Sequence, residues 1–145
     1  MSNNNNALTL GSPVFSDPSL AALVGKGDAL AAWTAALAQG PAAAARGASG
    51  DFAVGMTDAS GRVFLAVDRF AVCTLCYRVV NGQLQFAARA DALADTQPEL
   101  DLQALFDYLY FHAIPSPRTV YEGVKRVPPG HYVLFEQSIA SCRRA

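Results

Sequence analysis

The spacing of apolar residues changes from a helical to a strand period near Gly50. Upstream of that point, apolar positions recur every three or four residues, which predicts helices over about 18–24 and 28–37 and a further Ala-rich turn after them. Asp17 and Asp28 stand where each helix would begin and can accept the first free backbone N–H groups. A short strand is expected before the helices, within 7–14.

Downstream of Gly50, apolar and polar residues alternate as in half-buried strands. The alternation predicts four antiparallel strands, at 52–56, 63–67, 75–80 and 84–88. Asn81-Gly82 joins the last two, and this dipeptide favours a two-residue hairpin because both residues tolerate positive φ.

One more helix and one more strand complete the predicted α+β fold of antiparallel sheets with packed helices. Asp101 caps a helix whose apolar residues run to Ala113 along one wide stripe, which we expect to pack on the sheet. A last strand is predicted at 131–135. The chain is therefore divided into a disordered start (1–6), one domain (7–136) and an irregular tail (137–145).

Composition narrows the class of protein. Hydrophobic residues make up 52% of the 145 residues and charged residues only 16%, which favours a single folded domain over disorder. The formal charge of −1 leaves no basic stripe for a phosphate backbone, so we expect no nucleic-acid partner. No long apolar segment or leader pattern is recognised, so we expect no membrane association and a cytoplasmic location.

The three cysteines are Cys73, Cys76 and Cys142, an odd number that favours free thiols. Cys73 and Cys76 form a C-x2-C motif, but zinc would need two more ligands, and a second paired motif is lacking. The interpretation that both thiols pack as small apolar groups is preferred, and no metal is expected.

Four sequence blocks between Gly50 and His131 carry a family resemblance. In order they are GDFAV from Gly50, FLAVDRF from Phe64, LQFA from Leu84 and VPPGH from Val127. Their order and spacing resemble the class II glutamine amidotransferase domain of asparagine synthetase. Gly27-Asp28 and Gly40-Pro41 are similar to segments that open and close a helix in that family.

The resemblance implies a partial αββα N-terminal nucleophile hydrolase sandwich. In the family, an N-terminal Cys attacks the side-chain amide of glutamine, its own α-amino group acts as base, and ammonia passes to a synthetase domain. ATP and magnesium belong to that synthetase domain, whose pyrophosphate loop is not found in this sequence, so no cofactor is expected here.

The positions that correspond to the family's site are only partly preserved. Met1 is followed by Ser2, a weak candidate nucleophile, and the family's Asn-Gly-Glu oxyanion segment stands here as Leu10-Gly11-Ser12. Gly11 and Asp28 are the matching glutamine-binding positions, and the resemblance gives Asp28 the substrate α-amino group. The alternative for Asp28 is a purely structural helix cap.

The Asp68-Arg69 pair ends a strand with two charges. We interpret both residues as structural, pairing with loop backbone or with each other where the strand leaves the sheet, rather than as catalytic. His112, at a helix end, and His131, in the PPGH turn, are also interpreted as structural.

Three functions remain open from the sequence. The first is a truncated or degenerate glutaminase domain that is catalytically silent and docks to a separate synthetase chain. The second is an amidohydrolase that uses Ser2, or a module that binds glutamine. The third is a structural or assembly subunit that completes another chain's sheet. If a missing half-domain supplies strands to both sheets, the remaining strands keep unpaired edges, and such edges recruit partners.

Overall fold

The computed structural model describes residues 7–136 and 139–145. The start at 1–6, including Ser2, and residues 137–138 lie outside this range. The described residues form an α+β fold, which confirms the predicted class.

The helices are α1 (Pro18–Gly25), α2 (Ala29–Leu37), α3 (Pro41–Gly47) and α4 (Leu102–Phe111), with a 3-10 turn at Ala90–Ala92. The strands are β1 (Ala7–Gly11), β2 (Val14–Phe15), β3 (Ala48–Ser49), β4 (Phe52–Thr57), β5 (Val63–Val67), β6 (Cys76–Val80), β7 (Gln83–Ala87), β8 (Lys125–Arg126), β9 (His131–Glu136) and β10 (Ile139–Arg144).

Three helices begin at aspartates that act as predicted. The carboxylates of Asp17, Asp28 and Asp101 accept backbone N–H groups at 2.8, 2.9 and 3.0 Å, two or three residues downstream. Each cap satisfies a donor that the first helical turn leaves without a partner. The helix starts were therefore predictable from local chemistry.

The larger sheet has the strand order β1-β4-β5-β9-β10, and the smaller three-stranded sheet has the order β7-β6-β8. Neighbouring strands in both are antiparallel. The two predicted hairpins thus belong to different sheets. At the second hairpin Asn81 and Gly82 have φ of 51° and 73°, as the Asn-Gly signal predicts.

Two apolar cores lie on opposite faces of the larger sheet. On one face, α1, α2 and α3 pack around Trp33, which is fully buried and lies 4.9 Å from Phe15 and 5.1 Å from Phe52 between ring centroids. The second core, which includes Leu65 and Phe86, lies between the two sheets. The fold therefore has three stacked layers: helices α1 to α3, then the larger sheet, then the smaller sheet.

Gly55 allows the two sheets to approach each other closely. A Cβ atom at this position would lie 2.5 Å from the ring of Phe86, well inside van der Waals contact. The edge of the Phe86 ring therefore occupies the space that any other residue would need at position 55.

The expected packing of the last helix on a sheet is wrong. Only Ala104 of α4 is buried, whereas Leu102, Phe106 and Leu109 of the predicted apolar stripe are exposed. The helical period was predicted correctly, but a period alone gives no direction to the apolar face. On its protein-facing side, Asp101 N–H donates to Val120 O at 3.0 Å, and Arg118 lies 3.8 Å from Asp101 and 4.0 Å from Asp107.

The prediction of an irregular tail over 137–145 is also wrong for the described residues. Residues 139–144 form β10, which pairs with β9 from Ile139 opposite Glu136 to Arg144 opposite His131. An edge strand is held by backbone hydrogen bonds to its neighbour and needs no apolar alternation of its own. The sequence pattern could not reveal it for that reason.

Candidate functional site

A cleft of about 900 Å³ opens at one end of the larger sheet. At this end β1 and β5 finish and β4 begins, since Gly11 pairs with Phe52 and Ala53 pairs with Val67. Its lining includes Arg46, Gly50, Asp51, Asp68, Arg69 and Arg144. Polar side chains from distant segments are therefore gathered where several strands end.

Asp68 is the organising residue of this end of the sheet. It is 2% exposed, and its carboxylate accepts backbone N–H groups from Phe70 at 2.8 Å and from Phe52, Val72 and Cys73 at 3.3 Å each. Burial acts to raise the pKa of Asp68, but these four backbone donors outweigh it and lower the pKa. The carboxylate is thus held ionised and folds the 68–73 loop around itself.

The 68–73 loop makes a left-handed turn at position 71, where the residue is alanine and not glycine. Ala71 has a φ of 50°, and its N–H donates to Asp68 O at 3.1 Å. A left-handed conformation strains any residue with a Cβ atom. Arg69 points outward and makes no ion pair with Asp68 or any other described residue, so the charged pair divides into a buried anion and an exposed cation.

Gly11 lies directly against this loop. Its φ is 76°, and a Cβ atom there would lie 2.2 Å from Asp51 O and 2.9 Å from Cys73 Sγ. The following residue, Ser12, donates its N–H to Asp51 O at 2.7 Å. Gly11, which is predicted to bind glutamine, is therefore packed against the thiol of Cys73, and their wide separation in the sequence concealed this proximity.

None of the three thiols is favoured as a thiolate. Burial raises the pKa of Cys73, and the negative charges of Asp51 and Asp68 raise it further. Burial also raises the pKa of Cys76, against a smaller opposing effect of Arg126, and the pKa of Cys142. Reactive cysteines have lowered pKa values, so none of the three thiols has the electrostatics of a nucleophile. Cys76 is buried, Cys73 is half-buried and Cys142 is exposed.

Asp28 lies at the start of α2. One carboxylate oxygen, Oδ1, accepts the N–H of Ala31 at 2.9 Å, which makes Asp28 a helix cap. The other oxygen, Oδ2, accepts no hydrogen bond within the described part of the chain. Asp28 is exposed, so this second oxygen is accessible from solvent.

Sequence inspection missed the other arginines of the cleft. Arg46, at the end of α3, and Arg144, in β10, line it together with Arg69. Both lie outside the recognised blocks, and no local pattern marks either residue as part of a site. Only the topology, with β10 beside β9 and α3 leading into β4, brings them to one place.

The histidines lie at turns, as expected. His112 ends α4 in a left-handed conformation with φ of 55°. His131 Nδ1 lies 2.8 Å from Pro129 O. Within 7–136 and 139–145, no three His, Cys, Asp or Glu side chains are grouped as a metal site would require, and none of the helices is long and apolar enough to cross a membrane.

Comparison with known proteins supports the resemblance in the sequence. A family model described as glutamine amidotransferase domain matches residues 23–144. Asparagine synthetase [glutamine-hydrolyzing] 1 of Bacillus subtilis (strain 168) is 37% identical over 67 residues, which cover 45% of this chain and 11% of that protein. Amidase chyE of Penicillium rubens is 36% identical over 88 residues, covering 59% of this chain and 13% of that protein. The chain thus matches only a small part of each relative.

Proposed function

Because the chain belongs to the glutamine amidotransferase domain family, on the asparagine synthetase branch, we propose that it keeps the glutaminase scaffold but does not hydrolyse glutamine. The observation that carries the proposal is the placement of its thiols: Cys76 is buried, and Cys73 is half-buried against Gly11. Cys73, Cys76 and Cys142 all have raised pKa values, and burial is the main cause in each case. Amide cleavage by a thiol requires the thiolate, which burial disfavours.

The position of Cys73 gives the proposal a sharper form. Its Sγ lies against Gly11, beside the segment that corresponds to the family's oxyanion segment. However, two carboxylates nearby, Asp51 and Asp68, oppose the charge that a nucleophilic sulfur would need. Cys73 therefore lies beside the oxyanion segment, but the nearby carboxylates disfavour the thiolate that a nucleophile needs.

The substrate carbonyl would also lack a donor. Leu10 stands where the family has an asparagine, so its side chain has no N–H group to stabilise a developing oxyanion. Loss of one such donor typically slows acyl transfer by about 10²–10³-fold. A silent chain would then act by docking to a separate synthetase chain or to a missing half-domain, with ATP and magnesium bound only by the synthetase.

Glutamine binding without turnover is a second candidate, favoured by the free Oδ2 of Asp28. A carboxylate oxygen that is not used by the helix cap can accept an ammonium group, as the family resemblance implies for glutamine. Gly11 is the other glutamine-binding position that the family resemblance gives, and neither Gly11 nor Asp28 is among the residues that line the cleft. Under this second candidate function, the chain binds glutamine and does not hydrolyse it.

The deciding experiment is an ammonia-release assay on the purified 145-residue chain with glutamine, monitored alongside mass spectrometry of the mature N-terminus. We expect no release above that of a heat-denatured sample. Turnover that disappears in Ser2→Ala would instead establish a Ser2 amidohydrolase, and turnover that disappears in Cys73→Ser would assign the reaction to Cys73. Either result overturns the proposal of silence.

Calorimetric titration with glutamine tests the second candidate independently. Binding that is lost in Asp28→Asn, with glutamate and asparagine as control ligands, would support the glutamine-binding module. The Asn side chain can still cap the helix, so the variant should fold and separate ligand contact from helix stability. Unchanged binding in Asp28→Asn would exclude Asp28 as the ammonium ligand.

A further inference from the structure

We propose that the cleft at the end of the larger sheet binds a nucleoside monophosphate, with arginines on its phosphate and Phe70 on its base. The cleft measures about 900 Å³, within the range of small-ligand sites. Three arginines line it, Arg46 from α3, Arg69 from the 68–73 loop and Arg144 from β10, and we refer to them as the cleft arginines. The two predicted glutamine-binding positions do not line the cleft, so this proposal is independent of glutamine binding and hydrolysis.

The cleft arginines differ from most arginines of this chain because they have no acidic partner. Four arginines elsewhere lie 4.0 Å or less from a carboxylate: Arg62, Arg78, Arg89 and Arg118. Among the residues that the structure describes, no carboxylate lies that close to a guanidinium group of the cleft arginines. Cations gathered in one cleft focus its field and attract anions. The cleft therefore offers positive charge and hydrogen-bond donors that the fold itself does not use.

Gly130 brings together the backbone segments of two cleft arginines. A Cβ atom on Gly130 would lie 3.5 Å from the Cα atom of Arg69. The carbonyl of Gly130 accepts the N–H of Ala145, the residue after Arg144, at 2.9 Å. Arg46 reaches the same cleft from the last turn of α3. Three segments distant in the chain thus converge on one ligand-sized space.

The acidic groups at the cleft leave the arginine donors available. Asp68 is buried, and its carboxylate is occupied by four backbone N–H groups. Asp51 and the terminal carboxylate of Ala145 also lie at the cleft, and neither forms an ion pair with a described residue. A phosphate monoester has close to two negative charges at pH 7 and three acceptor oxygens. It therefore matches several unpaired guanidinium groups better than a single carboxylate does.

An exposed aromatic ring lies beside these arginines and indicates the rest of the ligand. Phe70 is 79% exposed and Val72 is 67% exposed, and both line the cleft. Their backbone N–H groups donate to the carboxylate of Asp68 at 2.8 and 3.3 Å, which fixes the loop that carries them. Nucleic-acid bases stack on exposed aromatic rings, and guanidinium groups bind phosphate. A ligand that joins a planar base to a phosphate uses both features.

Calorimetric titration of the 145-residue chain with three matched ligands tests the proposal. The ligands are AMP, ribose 5-phosphate, which lacks the base, and adenosine, which lacks the phosphate. We expect AMP to bind with a Kd below about 1 mM, ribose 5-phosphate to bind about tenfold more weakly, and adenosine to give no detectable heat. Excess glutamine should leave the affinity for AMP unchanged.

Four results of these titrations would overturn the proposal. They are no binding of AMP, equal affinities for AMP and ribose 5-phosphate, equal affinities for AMP and adenosine, and displacement of AMP by glutamine. The last result would mean that the cleft is an amino-acid site. None of them decides whether the chain releases ammonia, which is measured separately.

Variants locate the ligand in the cleft. Arg69→Gln and Arg144→Gln should each weaken AMP binding by about tenfold or more, because each removes charge-assisted hydrogen bonds to the phosphate. Phe70→Ala should reduce the affinity for AMP to that for ribose 5-phosphate and leave the latter unchanged. Circular dichroism melts check that each variant is folded, which we expect because all three side chains are exposed.

Arg143→Gln is the matched control. Arg143 is exposed and has no acidic partner among the described residues, but it does not line the cleft, since neighbouring residues of a strand point to opposite faces. Its replacement should leave AMP binding unchanged. A loss as large as that in Arg144→Gln would overturn the proposal, because AMP would then respond to the overall charge of the chain and not to the cleft.

Discussion

The 68–73 loop and helix α4 satisfy their side chains in opposite ways. The loop is closed on itself, since the buried carboxylate of Asp68 has four backbone donors and needs nothing from outside. Helix α4 buries only Ala104 and directs its apolar side chains to solvent. The comparison shows that the two regions of one small domain contribute differently to stability: the loop stabilises the fold, whereas α4 leaves most of its apolar side chains exposed.

Removal of the Asp68 carboxylate should have the largest effect on the fold. Asp68→Ala leaves buried N–H groups without an acceptor, and the expected loss in the free energy of unfolding is about 3 kcal/mol or more. Denaturant unfolding followed by circular dichroism measures it. Arg69→Ala is the control, since an exposed, unpaired guanidinium should contribute less than about 0.5 kcal/mol. Equal losses for the two variants would show that the buried carboxylate of Asp68 stabilises the fold no more than the exposed side chain of Arg69 does.

Gly11→Ala should be the next most damaging change. The new methyl group would lie 2.2 Å from Asp51 O, a backbone atom, at a φ of 76°. We expect a loss of about 2–3 kcal/mol from the combined clash and strain. Gly25→Ala offers a control, because a Cβ atom at Gly25 meets nothing within 4 Å and Gly25 lacks positive φ.

Acid should weaken the 68–73 loop by protonating Asp68. The pKa of Asp68 is lowered in the fold, so its contribution is fully present above the unfolded-state value of about 3.9 and is lost as the pH falls through the folded-state pKa. Stability measured from pH 6 downwards should therefore decline below about pH 4. The decline should be shallower in Asp68→Asn, which cannot titrate at this position.

Ala71→Gly should act in the opposite direction and stabilise the loop. Relief of the left-handed strain at a φ of 50° is worth more than the added chain entropy of glycine in the unfolded state. The net gain should be about 0.5–1 kcal/mol, seen as a higher melting temperature. A decrease would show that the methyl group of Ala71, which packs against the inter-sheet core, matters more than its backbone strain.

The smallest effect on monomer stability is expected in α4. Leu109→Gln removes an exposed apolar group and keeps helix propensity, so the free energy of unfolding should change by less than about 0.5 kcal/mol. Thermal melts of the variant and the wild-type chain at the same low protein concentration give the relevant comparison. A loss above about 1 kcal/mol would mean that Leu109 packs within the monomer after all.

The sequence predicted those features that local chemistry determines. The Asp caps, the Asn81-Gly82 turn and the four alternating strands each depend on neighbours within a few residues. The sequence did not predict the direction of α4 or the strand β10, because these depend on backbone partners elsewhere in the chain. In the cleft, the recognised blocks identified Asp68 and Arg69, whereas the placement of Arg46 and Arg144 required the topology.

The contact between Gly55 and Phe86 gives this protein an internal reporter of motion. The edge of that aromatic ring occupies the space above a residue without a side chain, between two sheets in van der Waals contact. A half-turn of the ring would require the sheets to separate for a moment. The exchange broadening of the Phe86 ring signals in a nuclear magnetic resonance spectrum should therefore measure the rate at which the two sheets separate far enough for the ring to flip.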